Sequence, residues 1–165
     1  MQRPLDAAHL GDHLDRLYRA AWALCGSRHD AEDLVQETYA RVLARPRLLR
    51  NKDDLGYLLQ ALRNTFLTQK RTERRRLRPD PLPEQFDLVA DPQARDPQAV
   101  LEARDVYAAV AALPADYRDV LVAVDVTGLS YKEAARALRI PVGTVMSRLY
   151  RARQQVVRRV EGGSA

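Results

Sequence analysis

The sequence has few of the residues that mark catalytic, metal-binding or disulfide-stabilised proteins. Its 165 residues include one cysteine and three histidines. Cys25 cannot form an internal disulfide and is most simply a small core residue. His9 and His13 are four residues apart, but no further ligand follows at metal-binding spacing, so we interpret them as part of a solvated helix face. The sequence predicts no cofactor and no metal site.

Long apolar runs are also missing. No stretch approaches the roughly 18 apolar residues that a helix needs to cross a bilayer. The N-terminal segment MQRPLDAAHLGDHLDRLY lacks the apolar centre of a signal peptide. Hydrophobic residues make up 46% and charged residues 30% of the chain, which is the balance of an ordinary soluble protein. We therefore expect a cytoplasmic protein without membrane insertion.

Strand patterns are nearly absent, because the apolar residues recur at intervals of three and four instead of two. This periodicity predicts an all-α fold, with three helices at about 6–25, 28–45 and 53–76 forming a first domain over 1–78. Each helix has an apolar stripe that marks its core face. The stripes are Leu10, Leu14, Leu17, Tyr18, Ala21 and Trp22, then Ala31, Leu34, Val35, Thr38 and Val42, then Leu55, Leu58, Leu59, Leu62 and Phe66.

Residues 79–105 differ in composition from the rest of the chain. They contain five prolines, and seven acidic residues against two arginines give a local charge of −5 (2 − 7). Prolines at this density prevent a continuous helix. We predict a flexible, acidic, proline-rich linker over 79–97, a second small helical domain over 98–160 and a disordered tail over 161–165.

The second domain begins with two predicted helices. Helical patterning resumes beyond Pro97 through Val110, and a new helix starts at Pro114, a residue favoured in the first turn. Thr127 and Gly128 end this helix. Its expected core residues are Tyr117, Val120, Leu121 and Val124.

The segment SYKEAARALRIPVGTVMSRLYRAR, residues 130–153, has the plan of a helix-turn-helix. Ser130 and Glu133 have the spacing of a capping box, which predicts a short helix over 131–138. Pro141 can begin the second helix, because its missing N–H would have no partner in the first turn. The expected buried residues of the first helix are Ala134, Ala135 and Leu138.

The second helix of this pair separates an apolar face from a polar, basic face. At about 100° per residue, the apolar residues fall within about 60° of one another. The inward residues are Val145, Leu149, Ala152 and Val156, and the outward residues are Thr144, Ser147, Tyr150, Arg151 and Gln154. Residues 136–159 contain seven arginines and no acid, which suits phosphate neutralisation. Arginine, serine and threonine also bind base edges in the major groove, so this outward face is the candidate DNA-reading surface.

Residues 63–78, RNTFLTQKRTERRRLR, form a second basic element, with seven basic residues against Glu73. Two basic elements on two domains joined by a flexible linker predict a protein that holds two separated stretches of DNA. The outer face of the second helix is instead mostly acidic and would repel DNA. It is either an ordinary solvated face or a docking site for a protein, and the basic surfaces elsewhere favour docking. This face comprises Glu32, Asp33, Gln36, Glu37 and Arg41.

Other classes of function are alternatives to a protein that binds two stretches of DNA and docks on a protein partner. A two-domain transcriptional regulator can also end in a helix-turn-helix, but its receiver or ligand domain usually contains strands, which residues 1–78 do not predict. An enzyme would need a catalytic constellation, and the sequence has no phosphate-binding glycine loop and no Ser/His/Asp or Cys/His set that its helices would bring together. A scaffold that binds only proteins leaves both arginine-rich tracts unexplained.

Three stretches together resemble a known family. DAEDLVQETYARVL, YLLQALRNTFLTQKRTERRR and ALPADYRDVLVAVDVTGLSYKEAARALRIPVGTVMSRLYRAR are similar to regions two and four of bacterial extracytoplasmic-function (group four) sigma factors of the sigma-70 family. The resemblance implies a region-two-like helical bundle and a region-four-like helix-turn-helix. It also implies a protein that is not an enzyme and that directs core RNA polymerase to promoters.

The resemblance further implies roles for individual residues. Those implied for the minus-35 element are Thr144, Met146, Ser147, Arg148, Tyr150 and Arg151. Those implied for the minus-ten element are Leu48, Arg50, Asn51, Lys52, Arg63, Asn64, Lys70, Arg71, Arg74 and Arg75. Asn64 corresponds to a residue that lines the pocket for a flipped base, and 48–52 to the loop that recognises this base. Tyr57, Leu48 and Met146 depart from the residues common in the family, which bears on the bases that are read.

The partners implied by the resemblance are core RNA polymerase, promoter DNA and an anti-sigma factor. Asp33, Gln36 and Glu37 correspond to contacts with the clamp coiled coil of the polymerase β′ subunit, and the linker to a segment that passes through the polymerase near the RNA path. Contact with the β subunit is implied as well. The anti-sigma factor would wedge between the two domains or wrap around them. The free protein is expected to be a monomer.

Overall fold

Seven α-helices contain most of the described residues. The computed structural model describes residues 2–49, 53–76 and 97–163, and it confirms the all-α prediction. The helices are α1 (Leu14–Cys25), α2 (Arg28–Ala44), α3 (Asp54–Arg75), α4 (Pro97–Ala111), α5 (Ala115–Leu121), α6 (Tyr131–Leu138) and α7 (Val142–Gly162). A 3₁₀ segment, Ala7–His13, precedes α1, and a π-helical turn, Val122–Val126, follows α5 directly.

Local capping signals set the ends of the first three helices. Gly26 ends α1 in the left-handed conformation, with φ 71°. The Ser27 hydroxyl accepts a hydrogen bond from the Asp30 N–H at 3.4 Å and so caps α2. Asp53 caps α3 by accepting the Gly56 N–H at 2.9 Å. The predicted helix limits are thus confirmed to within one or two residues, apart from the start of the first helix.

The predicted core stripes of α2 and α3 are confirmed, since all ten residues are buried. The stripe of the first helix was predicted less well, because Leu14 is 46% exposed. We had expected one continuous α-helix from Asp6. The 3₁₀ segment winds at three residues per turn, so the side chains before Leu14 have a different phase from those of α1.

A short pair of strands was not predicted from the sequence. β1 (Arg3–Pro4) pairs antiparallel with β2 (Leu48–Leu49). The Arg3 guanidinium also donates to the Asp54 carboxylate at 2.6 Å, across the first turn of α3. The N-terminal residues are thereby attached to both sides of the segment 50–52, which lies outside the described residues.

The C-terminal helices follow the predicted pattern with small differences. The helix that begins after Pro114 changes to π-helical winding at Val122, and the Thr127 hydroxyl at its end donates to the Ala123 carbonyl at 2.6 Å. In α6 the buried small residues are Ala134, Ala135 and Ala137. Leu138, which is predicted to be buried, is only partly buried.

The two ends of α7 differ slightly from the prediction. Pro141 is the N-cap of α7 and not its first residue. At its other end, α7 extends to Gly162, two residues into the predicted disordered tail over 161–165.

The helices before and after the predicted linker pack against each other. We refer to the described residues up to 76 as the N-terminal unit and to residues 97–163 as the C-terminal unit. Helix α1 contacts α4 and the π-helical turn, and α3 contacts α6. The buried apolar side chains of both units form one cluster. The predicted linker over 79–97 lies outside the described residues except for Pro97, which begins α4, and the predicted domain limits stay predictions.

Candidate nucleic-acid and polymerase interfaces

The turn between α6 and α7 is fixed by caps on both helices. The predicted capping box is present: the Glu133 N–H donates to the Ser130 hydroxyl at 3.2 Å, and the Ser130 N–H donates to the Glu133 carboxylate at 2.7 Å. The bond from the Ser130 N–H lowers the pKa of Glu133 below its ordinary value. Helix α6 ends at Arg139 in the left-handed conformation, with φ 57°. The N–H groups of Thr144 and Val145, in the first turn of α7, donate to the Pro141 carbonyl at 3.0 and 3.1 Å.

Helix α7 presents the predicted reading face to solvent. Met146 is 52% exposed and Tyr150 is 66% exposed, and Ser147, Arg151 and Gln154 are exposed as well. On the opposite face Val145, Leu149 and Ala152 are buried, with Val156 partly buried. Thr144 is half-buried and lies at the edge of the exposed surface. The predicted division of this helix into a buried and an exposed face is therefore present, but the base contacts stay predictions.

The arginines of α7 differ in their surroundings. The Arg153 guanidinium forms two hydrogen bonds with the Asp125 carboxylate, at 2.7 and 2.8 Å, which tie α7 to the π-helical turn. These bonds raise the pKa of Arg153. Arg148 is half-buried, 3.8 Å from the Asp116 carboxylate. Among the described residues no carboxylate forms an ion pair with Arg151. Sequence reasoning did not identify Asp125, since nothing in its neighbourhood marks a partner 28 residues further along the chain.

The predicted minus-ten residues of α3 share one side of the helix. At about 100° per residue, the six positions fall within an arc of about 140°. These residues are Arg63, Asn64, Lys70, Arg71, Arg74 and Arg75. All are exposed except Arg63, which is half-buried. We refer to these six residues as the α3 basic face.

Arg63 differs from the other members of the α3 basic face because it already has a partner. Its Nε donates to the Asp119 carboxylate of the C-terminal unit at 2.6 Å. Asp119 is only 6% exposed. It immediately precedes two predicted core residues, Val120 and Leu121, and this position next to the core is the signal that could have marked it.

The loop predicted to recognise a flipped base is described only at its first two residues. Leu48 lies in β2 and is 60% exposed, and Leu49 is partly buried. Arg50, Asn51 and Lys52 lie outside the described residues. The pairing of β2 with β1 and the cap at the start of α3 fix the two ends of this loop.

The acidic outer face of α2 faces the C-terminal half of α3. Asp33 and Gln36 are exposed and Glu37 is half-buried. Glu37 forms an ion pair with Arg41 at 2.8 Å, so part of the negative charge expected from the sequence is compensated. We refer to Asp33, Gln36 and Glu37 as the acidic ridge.

An open groove of about 430 Å³ separates the acidic ridge from the end of α3. Asp33 and Glu37 line one side, and Lys70 lines the other. Cys25 lies at its inner end, where burial raises the pKa of the thiol to about 12. Arg41 on the α2 side and Glu73 on the α3 side also line the groove, so each of the two helices contributes charges of both signs.

Comparison with known proteins assigns the family. The family model for Sigma-70 region 2 matches residues 10–76, and the model for Sigma-70, region 4 matches residues 103–156. The ECF RNA polymerase sigma factor EcfG of Rhodopseudomonas palustris is 35% identical over 137 residues, which cover 82% of this chain and 74% of EcfG. This chain belongs to the extracytoplasmic-function sigma factors. It is thus a member of a family of transcription initiation factors with DNA-binding regions.

Further relatives of this sigma factor agree in family and fold. SigE of Mycolicibacterium smegmatis is 40% identical over 147 residues, and the chain covers 57% of its length. Among solved structures, the sigma factor RpoE in complex with the anti-sigma factor NepR from Bartonella quintana has a TM-score of 0.69 at 24% identity, with 93% of this chain and 95% of that chain covered. CnrH in complex with the cytosolic domain of CnrY has a TM-score of 0.63 at 22% identity, with 94% and 86% covered.

The matched regions correspond to described helices of the sigma factor. Region 2 extends from the 3₁₀ segment to the end of α3, and region 4 from α4 to Val156 in α7. Across the described ranges, no helix combines the length and apolar character required to cross a lipid bilayer. Nor do the described residues bring together three or more His, Cys, Asp or Glu side chains able to hold a metal ion.

Proposed function

We propose that this sigma factor binds core RNA polymerase and directs it to promoters with two recognised elements. The C-terminal unit reads the minus-35 element through α7, and the N-terminal unit reads and helps to open the minus-ten element through α3 and the loop 48–52. The observation that carries the proposal is the exposed polar face of α7 within a chain of this family. The free protein is monomeric and cytoplasmic.

The proposed minus-35 contact rests on the side chains of α7 that are exposed. Ser147, Tyr150 and Arg151 can donate hydrogen bonds to base edges, and an arginine free of carboxylate partners can bind guanine with two bonds. The two paired arginines of this helix have other tasks. Arg153 holds α7 in place through Asp125, and Arg148 stands beside the reading surface, where it suits a phosphate.

The proposed minus-ten contact rests on the α3 basic face. Asn64, Arg71 and Arg75 lie almost in line along the helix, since their positions differ by about 40° or less around its axis. All three are exposed. A pocket lined by Asn64 would take up a base that has left the stack, while the arginines neutralise the neighbouring phosphates.

The acidic ridge is the proposed contact with the polymerase. Asp33, Gln36 and Glu37 would bind the clamp coiled coil of the β′ subunit, and their charge keeps this surface from competing for DNA. Contact with the β subunit is proposed as well. Regulation by an anti-sigma factor is also proposed, and the complexes of two structural neighbours, RpoE with NepR and CnrH with CnrY, support it.

Transcription in vitro with core polymerase tests this function. A library of genomic fragments is transcribed by core enzyme alone and by core enzyme with the purified sigma factor, and the transcripts are sequenced. We expect new start sites that share two sequence elements upstream. Transcripts that show no common upstream elements, from a sigma factor that binds core enzyme, would contradict the proposed promoter recognition.

A further inference from the structure

The strand pair β1–β2 lies directly before the residues proposed to recognise a flipped base. Arg3 pairs with Leu49 and Pro4 pairs with Leu48, in antiparallel register. Two strands of two residues each are too short to remain paired in water without further contacts. The pairing must therefore be held by contacts that lie outside the strands.

One such contact is the ion pair between Arg3 and the first residue of α3. The Arg3 Nη2 donates to Asp54 Oδ1 at 2.6 Å, and the two side chains are 37% and 13% exposed. Both side chains of the Glu37–Arg41 pair on α2 are more exposed than these. An ion pair that is less exposed is screened less by water and salt. Arg3 thus connects β1 to the helix that follows β2 in the chain.

A second set of contacts holds the residues that lead from β1 to α1. Leu5 packs against the apolar core, and Leu10 in the 3₁₀ segment is buried. The Tyr39 hydroxyl of α2 donates to the Leu10 carbonyl at 2.8 Å. Asp6 caps the 3₁₀ segment by accepting the Ala8 N–H at 2.9 Å. β1 is therefore attached to α3 through Arg3 and to α2 through the 3₁₀ segment.

The register of the strand pair decides which side chain of β2 faces solvent. Successive side chains of a strand point to opposite faces, and Leu48 is exposed whereas Leu49 is partly buried. A shift of one residue in the pairing would exchange these two side chains. Because Leu48 is among the residues proposed for the minus-ten element, pairing with β1 determines whether this side chain can reach DNA.

Two adjacent acids at the start of α3 have separate tasks. The Asp53 carboxylate accepts the Gly56 N–H at 2.9 Å and so caps the helix. A Cβ at position 56 would clash with this carboxylate, so the cap requires glycine there. The Asp54 carboxylate is turned to Arg3 instead. The first residues of α3 are thereby fixed both within the helix and against β1.

We propose that β1 is a positioning element for the minus-ten contact, in which Arg3 is a positioning residue that acts through β2 and Asp54. Arg3 itself does not bind DNA. The inference rests on the proposed function, since it matters only if residues 48–52 read a base. Binding a base to side chains that are already held in place loses less conformational entropy than binding to side chains that must first be ordered.

Base discrimination by the holoenzyme tests this role. The rate of open-complex formation is measured on a promoter found by in vitro transcription and on templates with every single-base change in its minus-ten element. We expect Arg3→Ala and Asp54→Asn each to reduce the discrimination at one position about threefold to tenfold. The double variant should lose no more than either single variant, because all three lack the same bond. Discrimination within the minus-35 element should stay at the parental level.

Two further variants serve as controls. Arg16→Ala removes the same charge from an exposed position on α1 and should discriminate like the parent. Arg3→Lys keeps a cation at position 3 and should retain more discrimination than Arg3→Ala. Urea midpoints of all variants are measured in parallel. An equal slowing of opening on every template, together with a lower urea midpoint, would mean that the ion pair only stabilises the fold, and it would overturn the proposal.

The variant Asp54→Asn separates positioning from direct DNA binding by Arg3. If Arg3 bound a phosphate, loss of the Asp54 charge would release the guanidinium and strengthen binding to all templates, opposite in sign to Arg3→Ala. That result would overturn the positioning role. Parental discrimination in every variant would also overturn it and leave the sigma-factor function intact. A parent holoenzyme that opens no promoter selectively would instead overturn the proposed function itself.

Discussion

Arg151 and Arg153 are two residues apart on α7, yet their surroundings assign them different tasks. Arg153 is tied to Asp125 by two hydrogen bonds and orients the helix, whereas Arg151 projects to solvent and, among the described residues, has no carboxylate partner. The charge of the sequence segment alone does not distinguish these two arginines. At the scale of single residues, the partner of each arginine decides whether it can contact DNA.

Replacing Arg151 with alanine should reduce base discrimination at one position of the minus-35 element. We expect a loss of about 1 to 3 kcal/mol at that position and little change elsewhere, because a side chain that binds a base edge contributes only where that base is present. Competition binding with a library of minus-35 variants, using the holoenzyme, measures this loss.

Arg158→Ala provides the comparison for Arg151→Ala. Arg158 is exposed on nearly the same side of α7, about two turns further along, beyond the region 4 match. We expect it to weaken binding to all sequences to a similar, small extent. If Arg151→Ala behaves in this uniform way, Arg151 is a phosphate contact and its assigned role is wrong.

Asn64→Ala should impair promoter opening and leave upstream binding intact. The proposed pocket holds a flipped base, so its loss should slow the formation of the open complex by about tenfold or more, since unstacking a base costs a few kcal/mol. Fluorescence of 2-aminopurine placed in the minus-ten element reports opening, and footprinting of the minus-35 element in the same samples reports binding. Opening at the parental rate would refute the pocket.

At the scale of secondary structure, α6 is the element with the most local support. Ser130 and Glu133 exchange hydrogen bonds at its start, and three alanines pack closely against its neighbours. This short helix positions α7, because both its caps and its packing fix the turn that follows. Its stability should therefore depend on a few identifiable bonds.

Ser130→Ala should destabilise the C-terminal unit by about 1 kcal/mol, the usual effect of removing a capping hydroxyl. Urea denaturation followed by circular dichroism measures the change. Ser147→Ala is the matched control, since this exposed hydroxyl only bonds back to the Thr144 carbonyl and alanine favours the helix interior. A loss of stability of the same size in both variants would argue against the capping box.

The charge of Glu133 should make part of this stability dependent on pH. Its pKa in the folded protein lies below the ordinary value of 4.5, because the carboxylate accepts the Ser130 N–H. The contribution is therefore complete above that ordinary value and is lost as the pH falls through the lower, folded-state value. The difference in urea midpoint between the parent and Glu133→Gln should shrink between neutral pH and about pH 3.5. A difference that is independent of pH would show that the charge has no part in the cap.

The sequence predicted the elements that depend on neighbouring residues and missed those that depend on distant ones. The α2 stripe and the capping box of α6 follow from spacings of three and four, so periodicity was sufficient. The strands β1 and β2 have two residues each, too few for an alternating pattern. The bond between Arg63 and Asp119 joins residues 56 positions apart, and surface charge has no period that would reveal its partner.

The same limit applies to the predicted sites. Exposure of the α7 reading face could be derived from a helical wheel, because burial on one side dictates exposure on the other. The grouping of six residues on one side of α3 was also predictable, since it depends only on their spacing along the helix. That one member, Arg63, is engaged by the other unit could not be derived, because it depends on how two separately patterned units meet.

At the scale of the whole molecule, the two units share one apolar cluster and a stacked ring pair. Trp22 is the single tryptophan of the chain, so its fluorescence reports on this interface. Taken together, the contacts between the units are fewer than those within either unit. The units should therefore separate before either of them unfolds.

Urea should change the emission of Trp22 at lower concentrations than those that remove the helical circular dichroism. Exposure of the ring to water on separation shifts its emission to longer wavelength, while the helices of each unit persist. The variant Tyr107→Leu lacks the stacking partner of Trp22. Its Trp22 emission should lie at longer wavelength even without urea, and only the later transition, the loss of helical circular dichroism, should remain. Coincident transitions of both signals in the parent would mean that the units unfold as one cooperative body.

The buried thiol of Cys25 has a consequence for redox chemistry. With a pKa of about 12, about one molecule in 10⁵ carries the thiolate at neutral pH, and the thiolate is the form that reacts with peroxides and electrophiles. This residue therefore gives the sigma factor little direct sensitivity to oxidants.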